Sequence, residues 1–126
     1  MKYRKLKNYK YQLLEELRFF AGCPIQCIVD MPFVAVELGG FVTIKKGYAW
    51  DGPSGPTIDT ESFMRGSLVH DVLYQLIREG CISIEYRDHA DRLLRRICIE
   101  DGMSRARAWY VYNSVKYFAK YAAVKR

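Results

Sequence analysis

The first half of the chain carries its hydrophobic residues in short runs that are typical of β-strands. Residues 32–38 and 41–44 are rich in β-branched and aromatic side chains, and Gly39 and Gly40 lie between them. Two glycines between two such runs are a good signal for a tight turn. The pattern therefore predicts an antiparallel β-hairpin over this region.

Residues 9–20 fit two patterns at once. A spacing of three and four residues, typical of a helix, links Leu13, Leu14, Leu17 and Phe20. Simple alternation, typical of a strand, links Tyr9, Tyr11 and Leu13. The residues alone favour a helix slightly, and a helix is our expectation at this point.

The second half of the chain has the hydrophobic period of helices. Residues that favour helix caps and glycines that favour helix exits divide it into three. The predicted limits are Asp59 or Thr60 to Glu79-Gly80 for the first helix, Ser83 to just before Gly102 for the second, and Ser104 to about Ala122 for the third.

Four aromatic residues flank the apolar stripe of the third helix, namely Trp109, Tyr110, Tyr117 and Tyr121. Platforms that stack nucleic-acid bases usually lie on sheets or in grooves, not on a helix that must also cover a core. We therefore interpret these aromatic residues as core packing.

The composition is that of a packed protein. The chain has 126 residues, of which 50% are hydrophobic and 14% aromatic, and this excludes a disordered chain. We expect one domain over 1–126, with a basic, frayed segment at 1–8, mainly strands and a shaped loop at 9–58, and three helices at 59–122. The expected fold class is α+β, with an N-terminal antiparallel hairpin or sheet packed against a C-terminal bundle of three helices.

The sequence contains neither a run of about 18 apolar residues nor an apolar signal-peptide core. We therefore expect no transmembrane segment and a cytoplasmic location. The four cysteines, Cys23, Cys27, Cys81 and Cys98, do not follow a paired zinc-binding spacing. We interpret Cys23 and Cys27 as two small buried thiols in a reducing cytosol.

The net charge of +6 is concentrated at the two ends of the chain. Residues 1–10 hold five basic residues and no acid, and residues 103–126 hold six basic residues and no acid. Such ends are typical either of a surface that binds nucleic acid or another anion, or of a solvated helix face with a frayed tail. We favour the second interpretation.

The first candidate for chemistry is the segment 50–56, which has two glycines and two prolines in seven residues. Proline fixes φ and glycine relaxes it, so the loop is shaped and can aim the Asp51 carboxylate and the Ser54 hydroxyl inward. The alternative is a structural turn in which Asp51 caps local backbone amides.

The second candidate is a cluster on the first two helices. His70 lies on the apolar face of the first helix beside Asp71, and Asp88 and Asp91 follow one turn apart on the second helix. These residues could form an incomplete shell for a divalent metal ion, with His70, Asp71, Asp88 and Asp91 as ligands. His70 could instead act as a general base held by an aspartate.

A third interpretation of the same cluster is a salt-bridge network with nearby arginines, namely Arg65, Arg87, Arg92 or Arg95. The helical angles favour Asp91 as the partner of His70 and give only weak support to Asp88. They predict that His89 is a surface residue.

Three segments, Gly47–Pro56, His70–Tyr74 and Ala90–Leu94, together resemble the small tailed-phage and prophage proteins grouped as domain of unknown function 1353. The resemblance extends over about residues 33–120. In the loop, Asp51 and Ser54 match the family pattern, as do Gly52 and Pro56.

The resemblance implies a phage origin, an α+β fold and a strand rather than a helix within residues 9–20. It also implies that Asp51, Ser54, His70, Asp71 and Asp91 belong to one unit, but it supplies no reaction.

Three functions remain open on these grounds. The first is a phage-encoded, hydrolase-like protein with Asp51, Ser54, His70 and Asp71 as catalytic residues, assisted by a divalent metal ion or working without one. The second is a non-enzymatic protein that binds a host factor or a virion component, in which these residues form a structural polar network. The third is nucleic-acid binding through the basic termini.

Overall fold

A computed structural model describes residues 1–7, 10–27, 30–37, 39–52 and 60–124, with side chains up to Tyr117. Residues 53–59, which include Ser54, lie outside the described residues. The fold is α+β, as the sequence predicted, with strands preceding helices. The elements are β1 (Tyr3–Lys5), β2 (Tyr11–Leu13), β3 (Leu17–Phe20), β4 (Val34–Val36), β5 (Phe41–Ile44), β6 (Ala49–Trp50), α1 (Glu61–Arg78), a 3₁₀ turn (Ile84–Tyr86), α2 (Arg87–Glu100) and α3 (Arg105–Val124).

Within the described residues the strands form two antiparallel sheets of three strands each, in the orders β1-β2-β6 and β3-β5-β4. The predicted hairpin is confirmed as β4 and β5, which pair with Val34 opposite Ile44 and Val36 opposite Val42. Gly39 adopts a φ of 89° in the turn, a backbone conformation that favours glycine.

The expectation of a helix within residues 9–20 is wrong. Tyr11 and Leu13 are buried while Gln12 between them is not, and β2 pairs with both β1 and β6. Pairing with the nearby β1 and with the more distant β6 therefore overrides the local helical spacing. The basic N-terminal segment is likewise not simply frayed, because it supplies β1.

The three predicted helices are present close to their expected limits. Thr60 is the N-cap residue of α1, and Glu79 with Gly80 ends it. The side chain of Ser83 accepts a hydrogen bond from the Glu85 amide at the 3₁₀ turn that leads into α2. Ser104 accepts one from the Arg107 amide at the start of α3. Over the part of the chain that the structure describes, no helix is both long and apolar enough to span a membrane.

The contact between α1 and α2 depends on a glycine. A Cβ atom at Gly66 would lie 2.8 Å from Leu94 Cδ1 and 2.9 Å from Cys98 Sγ, closer than real Cβ contacts. The missing side chain thus lets the two helices approach closely enough for their polar residues to meet.

The aromatic flanks of α3 are not core residues. Trp109, Tyr110 and Tyr117 are 58%, 49% and 70% exposed, whereas Ala108 and Val111 on the inner face are buried. Our interpretation as core packing is wrong for these three aromatic residues, because the inner face of α3 is filled by smaller apolar side chains. The side chain of Tyr121 lies outside the described residues.

The segment 21–27, which follows β3, is tied to the helices. Cys27 forms a disulfide with Cys81, and the Gln26 amide donates to the Cys81 carbonyl at 2.7 Å. The interpretation of Cys27 as a free thiol is therefore wrong, whereas Cys23 is free and half-buried. The pairing joins residues 54 positions apart, which local spacing could not indicate.

Candidate functional site

The site is organised by the segment 48–51, which lies against one face of α1. Trp50 Nε1 donates to Ser67 Oγ at 3.1 Å, and the Tyr48 hydroxyl donates to Gln75 Oε1 at 2.9 Å. Ser67 and Gln75 are two turns apart, and Asp71 occupies the turn between them on the same face. Asp51, which follows Trp50, lies close enough to Asp71 for its charge to raise the pKa of that carboxyl.

A buried hydrogen-bonded cluster lies behind this face. His70 Nε2 lies 2.6 Å from Asp91 Oδ1, and the Tyr74 hydroxyl donates to the same oxygen at 2.8 Å. Asp91 is fully buried, and the side chain of His70 is 8% exposed. The His70 and Tyr74 rings are packed with their centroids 4.3 Å apart. The structure therefore confirms contact between His70 and Asp91, the pair favoured by the helical angles.

The hydrogen bonds define which nitrogen of His70 is available. Burial, together with the nearby Asp91 charge, raises the pKa of Tyr74 above its ordinary value, so the tyrosine keeps its proton and donates it. Asp91 accepts on the same oxygen from His70, so a neutral His70 carries its proton on Nε2. Its Nδ1 then has a lone pair that can accept a proton.

Asp71 differs electrostatically from an ordinary surface aspartate. Burial raises its pKa from 3.8 to about 6, and the Asp51 charge adds to the rise, while His70 and Arg78 oppose it. Burial, with a contribution from Asp71, also raises the pKa of Tyr48 to about 12. Asp71 therefore exchanges its proton much nearer to neutrality than an exposed aspartate does.

Asp88 is not part of this cluster. Its Oδ1 accepts from the Tyr112 hydroxyl at 2.6 Å, and its Oδ2 pairs with Arg92 at 2.9 Å. Among the described residues no group of three or more histidine, cysteine, aspartate or glutamate side chains is placed to hold a metal ion. The geometry thus gives no support to the predicted ligand set of His70, Asp71, Asp88 and Asp91.

His89 is not the surface residue that we expected. It is partly buried, and its Nε2 donates to the Ala21 carbonyl at 2.6 Å. A Cβ atom at Gly22 would lie 3.1 Å from the same nitrogen, so that glycine makes room for the ring. His89 therefore fastens α2 to the segment 21–27 rather than serving the site.

The arginine network proposed as an alternative does not include His70 or Asp91. Arg65 pairs with Glu100 and Asp101 at the end of α2, and Arg92 pairs with Asp88. These ion pairs are partly exposed and lie on the outer surface of the helices. No ion pair among the described residues joins Arg87 or Arg95 to the buried cluster either, although the Arg87 charge acts on Tyr74. A purely structural role for the cluster would therefore rest mainly on its hydrogen bonds.

The sequence analysis did not assign Tyr74 to the site, and it considered Arg87 only as a salt-bridge partner. Tyr74 could have been recognised, because it lies one helical turn after His70 on the same face. Asp91 Oδ2 and Arg87 Nε are both buried without a hydrogen-bonding partner among the described residues. One helical turn separates these two residues, so the cluster retains unused hydrogen-bonding capacity beside Tyr74.

A protein-family model described as "Protein of unknown function (DUF1353)" matches residues 28–115. The match spans Asp51 and the whole of the cluster on α1 and α2. No curated protein and no solved structure gives a significant match.

Proposed function

Because the chain belongs to the family of unknown function DUF1353, we propose a function from the site itself, namely acid–base hydrolysis. In this proposal His70 is the general base, Asp91 is its positioning residue, Asp71 is the proton donor and Asp51 adjusts the acidity of Asp71. The observation that carries the proposal is the buried His70–Asp91 hydrogen bond, next in sequence to an aspartate whose pKa is raised by burial to about 6.

The His70–Asp91 pair has the properties of a base held in one orientation. A fully buried carboxylate that accepts a short hydrogen bond from Nε2 fixes the tautomer and stabilises the imidazolium that forms when Nδ1 takes a proton. Tyr74 holds the carboxylate itself in place through the second hydrogen bond to Oδ1. In this proposal Nδ1 is the atom that takes a proton from the attacking water molecule.

Asp71 supplies the complementary acid. With a pKa of about 6, roughly one Asp71 side chain in ten carries a proton at pH 7. An exposed aspartate with a pKa near 3.8 would carry roughly a hundredfold less. Acid–base catalysis usually involves two neighbouring groups in different environments. One of them is suited to accept a proton and the other to donate one.

The reaction follows from these roles. Water loses a proton to His70 Nδ1 as its oxygen attacks the electrophilic centre of the substrate, and the bond to the leaving group breaks. Asp71 donates its proton to that leaving group, and the proton on His70 then returns to Asp71 through solvent. Ester, phosphoester and cell-wall bonds all satisfy this scheme, and Ser54 of the matching loop remains a predicted contributor.

The competing proposal is that the cluster is a structural polar network in a protein that binds a host or virion component. The full burial of Asp91 and its two hydrogen bonds favour this alternative, because such a network also specifies a fold. The phage origin implied by the resemblance is a premise of this alternative and stays a prediction.

Hydrolysis assays on four substrate classes separate the two proposals. Wild-type protein is incubated with peptidoglycan, a nucleotide, a phosphodiester and a carboxyl ester, beside His70→Gln and Asp71→Asn. The matched controls are His89→Gln, which alters the other histidine of the chain, and Asp30→Asn, which alters an exposed aspartate. We expect turnover of one class, a loss of at least a hundredfold in both site variants and little change in the controls.

The pH profile gives a second readout. The wild-type rate should fall as the pH rises through about 6, because Asp71 loses its proton, and Asp71→Asn should abolish that limb. Absence of turnover with all four classes, or full activity in a folded His70→Gln variant, would overturn the hydrolase proposal and favour the structural network.

A further inference from the structure

The exposed side of α3 carries aromatic and basic side chains on a single arc. At 100° per residue, an arc of about 120° contains all the exposed positions between Ala106 and Tyr117. Among the α3 residues with described side chains, the three large exposed apolar residues are Trp109, Tyr110 and Tyr117. Lys116 lies beside Trp109 at the edge of the arc. We call the surface formed by Ala106, Trp109, Tyr110, Asn113, Lys116 and Tyr117 the α3 outer face.

The charged residues in the part of the sequence that contains α3 are all basic. Residues 103–126 contain six basic residues and no acid. The carboxylate that contacts α3 from α2, Asp88, is already engaged by the Tyr112 hydroxyl and by Arg92. Lys116 Nζ lies 5.6 Å from the Tyr112 ring centroid, which holds the cation at the edge of the aromatic surface. The α3 outer face therefore suits a partner that is negatively charged and accepts aromatic rings.

We propose that the α3 outer face docks on an anionic lipid bilayer, with the helix lying parallel to the membrane surface. Tryptophan and tyrosine rings are amphipathic and concentrate at the boundary between headgroups and acyl chains, and lysine is attracted to anionic headgroups. The inner face of α3 packs through Ala108 and Val111 onto the core, so only the outer arc contacts the membrane.

The shape of the surface favours a bilayer over a nucleic acid. Single-stranded nucleic acids bind in a positively charged groove whose walls follow the backbone. The outer arc of a straight helix is convex, and about 10 Å separate the Tyr110 and Tyr117 backbone positions along the axis. Such a ridge can press several rings into a planar surface at the same time.

Vesicle binding tests the proposal with the full chain. The protein is mixed with vesicles of phosphatidylcholine alone or with about one third phosphatidylglycerol, and binding is measured by co-sedimentation. We expect binding to the anionic vesicles only, and weakening as the salt concentration rises. Trp109→Ala and Tyr117→Ala should each weaken binding about tenfold, and Lys116→Gln about fivefold.

Matched controls use exposed residues elsewhere. Phe33→Ala removes an aromatic residue that is 47% exposed, and Lys46→Gln removes an exposed lysine; neither should change vesicle binding. Trp50, the other tryptophan of the chain, is buried. A blue shift of tryptophan fluorescence on vesicle binding should therefore come from Trp109 and disappear in Trp109→Phe.

Three results would overturn the proposal. They are a lack of binding to anionic vesicles, binding that the α3 variants leave unchanged, and binding of a single-stranded oligonucleotide through the same residues without any vesicle binding. The last result would assign the α3 outer face to nucleic acid instead.

Discussion

Replacing Asp71 with asparagine should stabilise the protein at neutral pH. Folding places this carboxyl beside Asp51 in a poorly solvated position, so its charged form is less favourable in the native state than in the unfolded chain. The rise of its pKa from 3.8 to about 6 corresponds to about 3 kcal/mol at most. Because Asp71 is partly exposed, we expect a gain of about 1 to 2 kcal/mol.

The size of this stabilisation depends on pH in a defined way. Below about pH 4, Asp71 is protonated in both states and imposes no penalty. Between about pH 4 and 6 the native state keeps the proton and the unfolded state loses it, so wild-type stability falls as the pH rises. The advantage of Asp71→Asn should therefore grow across this window and become constant above about pH 7.

Urea denaturation, monitored by circular dichroism at several pH values, measures the gain in the free energy of unfolding. The difference between wild type and variant isolates the contribution of residue 71 from that of other titrating groups. Asp30→Asn is the control, because Asp30 is well exposed and pairs only at the surface with Lys45. In an Asp51→Asn background the gain from Asp71→Asn should shrink, since one cause of the raised pKa is gone.

A difference between wild type and Asp71→Asn that does not change with pH would refute this reasoning. So would a wild type that becomes relatively more stable as the pH rises. Either result would mean that Asp71 is well solvated or favourably paired in the folded protein, and Asp71 would then be unsuited to the role of proton donor.

Three other substitutions test the packing around the site. Tyr74→Phe removes the hydrogen bond to Asp91 and should lower the free energy of unfolding by about 1 to 2 kcal/mol, as measured by urea denaturation. Gly66→Ala should cost about 1 to 3 kcal/mol by the same measurement, because the added methyl group meets Leu94. Cys81→Ser should cost about 2 to 5 kcal/mol under oxidising conditions, and a reductant should remove most of its difference from the wild type. An unchanged stability in any of these variants would contradict the contact on which it rests.

Local signals were sufficient where a single pattern applied. The hairpin was predictable because Gly39 and Gly40 separate two β-rich runs, and both glycines adopt a positive φ. Residues 9–20 were not, because Leu13 belongs to both the helical and the alternating pattern. The choice between them is made by β1 and β6, which pair with β2 and whose positions the local sequence does not reveal.

The same distinction applies to the site. Asp91 was predictable as the partner of His70, since helical angles place both on facing sides of neighbouring helices. His89 was misassigned because its acceptor, the Ala21 carbonyl, lies 68 residues away. Gly22, which has no side chain, leaves room beside the ring. A helical projection gives the direction of a side chain, but it does not identify the residues of other elements that the side chain contacts.

The attachments of the segment 21–27 bear on how the protein unfolds. A histidine contact from α2 and a disulfide to Cys81 bind this N-terminal segment to the helical half of the chain. We expect these attachments to couple the opening of the strands to that of the helices, since their partners lie 68 and 54 residues apart. Amides of β3 and α2 should exchange with solvent through the same opening event while the disulfide is intact. In the reduced protein we expect the N-terminal half to unfold first. The redox state of the Cys27–Cys81 disulfide therefore determines how much of the protein unfolds in one cooperative step.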